Sequence, residues 1–193
     1  HRTRHLLMRQ QTSVINAIRS HLAEFGIVAP VGRNGVEQLL GVVADLNDKR
    51  LPEVARACVA ALGAQLRVLK VQILEFDRMI RAWHRSSEAS KRLDQVPGVG
   101  PITAVAFVLN IEDPRRFRCS RRVGSYIGLT PRMRQTGQED PQLRITKAGD
   151  SLMRRLLVQC AHHILGPHGP ECDLRRFGLA LCLRGGKSAK KRA

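Results

Sequence analysis

Residues 53–84, EVARACVAALGAQLRVLKVQILEFDRMIRAWH, decide the fold. Cys58, Leu62, Leu66, Leu69, Ile73, Phe76, Ile80 and Trp83 recur at alternating steps of four and three. That is a 3.5-residue seam along one helix, and a helix of this length runs about 45 Å. The seam needs a partner. An internal antiparallel hairpin with an earlier helix satisfies it, and so does an intermolecular coiled coil; the sequence leaves both open.

Upstream, residues 4–25 place Leu7, Val14, Ile18, Leu22 and Phe25 on one stripe of a helix, with Arg and His on other faces. Gly26 and Pro30 end it, and residues 34–47 read as a shorter second helix. Downstream, the composition changes in Ser86–Lys91 to glycines, prolines and arginine clusters. The expected organisation is all-α: a helical hairpin or coiled-coil region over 1–85, a compact helical domain over 91–182, and a basic tail over 183–193. The leucine- and alanine-rich core, with aromatics at only 4%, favours helices over a β-sandwich.

The chain has 193 residues with 33 Lys+Arg against 16 Asp+Glu, a formal net charge of +17. A polyanion is the usual counterpart of such an excess, and nucleic acid the expected one. No uninterrupted apolar run approaches ~20 residues, so no membrane span is expected. The five cysteines are scattered and form no C-x-x-C pair, which fits a reducing cytoplasm. Cys160, His162, His163, His168 and Cys172 lack zinc-ligand spacing, so no metal is expected in this chain.

Residues 94–111, DQVPGVGPITAVAFVLNI, set a proline–glycine turn between two helices, a helix-hairpin-helix pattern. The amides of Gly98, Val99 and Gly100 would lie at the start of the following helix. Free N–H groups there attract a phosphate without reading a base. An ordinary tight turn between packed helices is the alternative. Between 115 and 155 stand eleven Lys+Arg opposed only by Glu139, Asp140 and Asp150. Arg115, Arg116, Arg118, Arg121, Arg122, Arg154 and Arg155 are the candidate phosphate contacts, and the glycine turn is expected beside Arg115–Arg122. Asp150 or Ser151 would cap a helix through Leu152, Leu156, Leu157 and Ile164.

The segments VPGVGPITA, RRFRCSRRVGSYIGLTPR, RQTGQ…ITKAGDSLMRRLL and HHILGPHGPECDLRRFGL, in this order, resemble the C-terminal domain of the DEDD transposases of bacterial insertion sequences, the bridge-RNA-guided recombinases. The resemblance implies DNA transposition by a three-part protein: a RuvC-like nuclease domain, a coiled-coil region and this transposase domain. It implies a fragment in which the RuvC-like domain is missing, along with the carboxylates and divalent magnesium that domain would hold. It implies DNA and a structured guide RNA as partners, and a homo-oligomer through the coiled-coil region.

The family's serine nucleophile falls in this sequence on Thr136, within Gln135-Thr136-Gly137. Either Thr136 attacks a phosphodiester to give a covalent protein–DNA intermediate, or it marks an inactivated element. Ser125 and Ser151 are hydroxyls outside that slot. Arg132, Arg134, Arg144 and Lys147 would stabilise the charge at phosphorus. The alternative function is a non-catalytic helix-hairpin-helix protein that binds DNA junctions or structured RNA.

Overall fold

The computed structural model describes residues 1–137 and 143–183. Among these the fold is all-helical, with eight α-helices and one isolated antiparallel bridge, Pro131 with Ile145. The helices are α1 (Arg2–Ala23), α2 (Arg33–Ala44), α3 (Glu53–Ser86), α4 (Glu88–Asp94), α5 (Pro101–Ile111), α6 (Arg121–Ile127), α7 (Ser151–Leu165) and α8 (Asp173–Leu183). A single 3-10 turn, Pro114–Arg116, precedes α6. The chain divides into two compact units, His1–Met79 and Ile80–Ala193.

In the first unit the seam of α3 finds an internal partner. Val14, Ile18 and Leu22 of α1, Val36, Leu39 and Val43 of α2, and Val59, Leu66 and Leu69 of α3 share one core. Arg4, early in α1, forms a bidentate pair with Asp77, late in α3, so the two helices run antiparallel. The seam enters at Val59 rather than Cys58, which is exposed, and continues through Leu62, Leu66, Leu69, Ile73 and Phe76; Ile80, also buried, belongs to the second unit. Trp83, assigned to the seam by spacing, is 38% exposed. A 3.6-residue helix drifts against a 3.5-residue repeat, so the two ends of a long stripe rotate out of the packed face first.

Two arginines close the loops of this unit. Arg56 donates through Nη1 to the carbonyls of Val43 (2.8 Å) and Val42 (3.1 Å) at the end of α2, and through Nη2 to Asp48 (2.7 Å). Those are the carbonyls a helix end leaves without intrahelical partners. Arg19 donates in turn to the carbonyls of Ala29 and Pro30 in the loop before α2 (both 3.2 Å). Beside them, hydrogen bonds from the Arg50 side chain and backbone hold the Asp48 carboxyl down to about 2.

Over one window α3 is long and apolar enough to cross a bilayer, a property the sequence reading did not expect. Core helices share it, and Val59, Leu66 and Leu69 of α3 lie in the core just described.

In the second unit α5 and α7 are the central pair. Ala106 and Ile111 of α5, Ile127 of α6 and Met153 of α7 form its core, with Phe107, Phe117, Val123 and Leu156 packed against it. Met153 sits where α7 begins, and Cys160, further along α7, approaches Thr103 near the start of α5 (3.6 Å). The pair is therefore antiparallel. Asp150, not Ser151, caps α7, accepting from the Met153 amide at 2.7 Å. The end of α3 is tied to α4 by His84, whose Nδ1 lies 2.8 Å from the fully buried Ser90 Oγ and whose Nε2 lies 3.5 Å from Asp94. The tail from residue 184, and Glu139 and Asp140, lie outside the described residues.

Candidate nucleic-acid interface

The turn between α4 and α5 closes through a hydrogen bond from the Val99 amide to the Val96 carbonyl (3.0 Å). Its two glycines serve different ends. Gly98 has φ +81, and a Cβ on it would stand 2.6 Å from Ile164 Cγ1 and 3.2 Å from the Cys160 carbonyl. It is glycine because the turn presses onto α7. Gly100 has φ −101, and a Cβ there would meet nothing within 4 Å. Packing does not require Gly100. It precedes Pro101, which has no N–H, and it offers α5 no side-chain cap. Among the described residues the amides of Gly98 and Gly100 have no backbone acceptor.

The arginine cluster stands elsewhere than expected. It follows the C-terminal end of α5, whereas the glycine turn precedes its N-terminal end, about 16 Å away along an 11-residue helix. α7 marks the same separation: Gly98 abuts Ile164 near its end, and the Ile127 carbonyl meets Arg154 near its start. The sequence placed the two together because it gives order but not the direction of packing.

Within the cluster, Asp113 accepts from the Arg115 amide (2.9 Å) and starts the 3-10 turn. Arg115, Arg116, Arg118, Arg121 and Arg122 are all exposed. Among the described residues none of the five pairs with a carboxylate. Arg116 lies over two rings, with Cζ 4.9 Å from the Phe117 centroid and 4.5 Å from that of Tyr126. This ring contact was not foreseen. The only hint was the chain's single tyrosine inside an arginine-rich stretch.

Next to it, residues 128–137 and 143–149 cross as a pair of loop segments. The Arg132 amide donates to the Arg144 carbonyl (3.0 Å), Thr146 to Thr130 (2.9 Å) and Lys147 to Gly128 (3.0 Å). Gly149, at φ +85, lies so close beneath α6 that a Cβ would stand 2.1 Å from the Tyr126 carbonyl. Arg154 fastens the crossing: its Nη1 donates to the Ile127 and Gly149 carbonyls, both at 2.9 Å. Its guanidinium is thus held by the protein, unlike that of Arg155, which is exposed with one long bond to the Ser151 carbonyl (3.4 Å).

Arg132, Arg134, Thr136, Arg144 and Lys147 are all exposed on these loops. Lys147 adopts φ +57, a conformation non-glycine residues rarely hold. The Thr136 hydroxyl has no hydrogen-bonded base among the described residues. An open groove of about 570 Å³ follows α7 past Lys147, Ser151, Arg155, Gln159 and His162. Among the described residues no three His, Cys, Asp or Glu side chains gather in one place.

Residues 90–174 match the model of the transposase family IS116/IS110/IS902. That segment runs from α4 into α8 and contains the glycine turn, the arginine cluster and the crossed loops. This segment carries the likeness to that transposase family.

The likeness extends beyond the segment. The chain is 41% identical, over 84% of its length, to "Putative transposase y4pF/y4sB" of Sinorhizobium fredii, covering 41% of that protein. It is 34% identical over 91% of its length to "Probable family 20 transposase" of Pseudomonas aeruginosa, covering 52%. It is 34% identical over 83% of its length to "Transposase for insertion sequence element IS1328" of Yersinia enterocolitica, covering 47%. The chain thus spans about half the length of these curated relatives.

Proposed function

We propose that this chain is the DNA-binding part of an insertion-sequence transposase of the RuvC-like, DEDD class that is guided by a structured RNA. The observation that carries the reading is the run of five exposed arginines with no carboxylate partner among the described residues, inside the segment that matches the transposase family. Such a surface attracts phosphates whatever the base sequence. The Gly98 and Gly100 amides would add a second phosphate contact, in a helix-hairpin-helix arrangement at the other end of α5; the Val99 amide, expected to join them, is taken by the Val96 carbonyl.

The chain spans about half of its curated relatives. In our reading it is a portion of a longer protein whose RuvC-like domain holds divalent metal on four carboxylates and supplies Lewis-acid chemistry. Thr136 is the proposed nucleophile. Its oxygen bonds to phosphorus, the bond to one deoxyribose oxygen breaks, and that oxygen takes a proton. Arg132, Arg134, Arg144 and Lys147 would neutralise the charge at phosphorus. The protein would act in the cytoplasm. A homo-oligomer through α3 is also proposed, since Val68, Val71 and Leu74 are each 56% exposed on that helix.

A second reading, a non-catalytic binder of DNA junctions or structured RNA, fits the chain taken alone, because Thr136 has no base beside it among the described residues. Gel-shift titration of the 193-residue chain with duplex, junction and hairpin nucleic acids tests the binding common to both readings. Binding to none of them at low salt would overturn both.

A further inference from the structure

We propose that Arg116, Tyr126 and Phe117 form a stacking site for one unpaired nucleobase. The proposal rests on the nucleic-acid reading above and deepens it, because it names what is recognised: a strand with exposed bases rather than a closed duplex.

The chain has one tyrosine and five phenylalanines in 193 residues. Its tyrosine follows closely on the exposed arginines 115–122 and is itself 42% exposed. Phe117 meets it edge to face, with centroids 5.3 Å apart and ring planes at 69°. Phe117 in turn packs on the core of the unit, so the corner made by the two rings is anchored from below. Arg116 lies over both rings at 4.5 and 4.9 Å. A guanidinium held this way is a fixed planar layer instead of a mobile charge.

A cluster that served only to brace the loop would bury its tyrosine and satisfy the hydroxyl well. Here the ring is open, and the hydroxyl reaches the Asn110 carbonyl only at 3.5 Å. Guanidinium planes and aromatic faces are the surfaces on which splayed bases stack. Base faces inside a duplex are already covered by their neighbours, so such a site distinguishes unpaired from paired strands. Arg115, Arg118, Arg121 and Arg122 surround it in sequence and are exposed, ready for the flanking phosphates.

The test uses the 193-residue chain with single-stranded DNA and RNA oligonucleotides, intact or with every base replaced by an abasic unit, and with 2-aminopurine at the centre of a third set. The intact strands should bind roughly tenfold tighter than the abasic ones, and bound 2-aminopurine should be quenched. Tyr126→Leu should remove most of that tenfold preference while leaving abasic affinity unchanged, Arg116→Lys should weaken binding of intact strands more than of abasic ones, and Tyr126→Phe should keep the preference. A thermal melt checks each variant; if Tyr126→Leu does not fold, Arg116→Lys and Tyr126→Phe carry the comparison. Equal affinity for intact and abasic strands, or equal losses on both, overturns the stacking site alone. Failure to bind any strand overturns the nucleic-acid reading with it. A preference confined to DNA or to RNA identifies which strand supplies the base.

Discussion

Gly98 lies against Ile164: a Cβ on the glycine would stand 2.6 Å from the isoleucine Cγ1, whereas a Cβ on Gly100, two residues on, would meet open space. One glycine therefore serves packing and the other is available for a ligand. Gly98→Ala combines a left-handed φ with a contact that α7 must yield to. It should cost about 1–3 kcal/mol of stability. Gly100→Val should melt close to the parent yet bind duplex DNA several-fold more weakly, because its side chain would hold a phosphate off the turn. Thermal melts and gel shifts on the two variants check this. Unchanged binding by a folded Gly100→Val would leave the turn as a packing element only.

Neighbouring arginines of α7 should separate in the same manner. Arg154 holds the Ile127 and Gly149 carbonyls, so Arg154→Ala leaves the partly buried Ile127 acceptor unpaired and should cost about 1–3 kcal/mol. Arg155 is exposed on the groove. Arg155→Ala should change stability by less than about 0.5 kcal/mol and weaken DNA binding. Chemical denaturation of both variants distinguishes them; equal destabilisation would contradict the clamp assigned to Arg154.

Much of this was legible in the sequence, for reasons that differ by residue. Val14, Ile18 and Leu22 announce a buried stripe because helical periodicity is local. The Asp150 cap was readable up to a choice between two adjacent residues. The partner of α3 was not readable, since a seam says only that something covers it. Nor was the use of Arg19, Arg56 and Arg154 on loop carbonyls, because those bonds depend on where distant loops pass. Part of the +17 charge is thus engaged inside the protein. The Arg116–Tyr126 contact spans ten residues of chain and a turn, beyond any helical spacing rule.

Arginines held by carbonyls also bear on salt dependence. Five exposed arginines near α6, unpaired with carboxylates among the described residues, and the glycine turn give an expected contact with about six phosphates. The log–log slope of duplex binding against salt should then lie near −5. Removing Arg121 and Arg122 together should bring it near −3. A parent slope close to zero would mean that the exposed arginines face something other than a polyanion.

The last prediction concerns chemistry. The chain alone should bind nucleic acid but neither cut nor join it, because among its described residues no carboxylate cluster fits a metal and no base touches Thr136. Thr136 is exposed on the crossed loops, so a partner domain has access to it. Joined to a RuvC-like domain and supplied with guide RNA, the protein should form a covalent adduct with DNA, seen as a band that resists denaturing gels. Thr136→Ala should abolish the adduct. Thr136→Ser should match or exceed the parent, since a primary hydroxyl is less hindered than a β-branched one. An adduct formed only by Thr136→Ser would identify the threonine as the change that silenced this transposase. Cleavage by the isolated chain would overturn both the composite site and the choice of nucleophile.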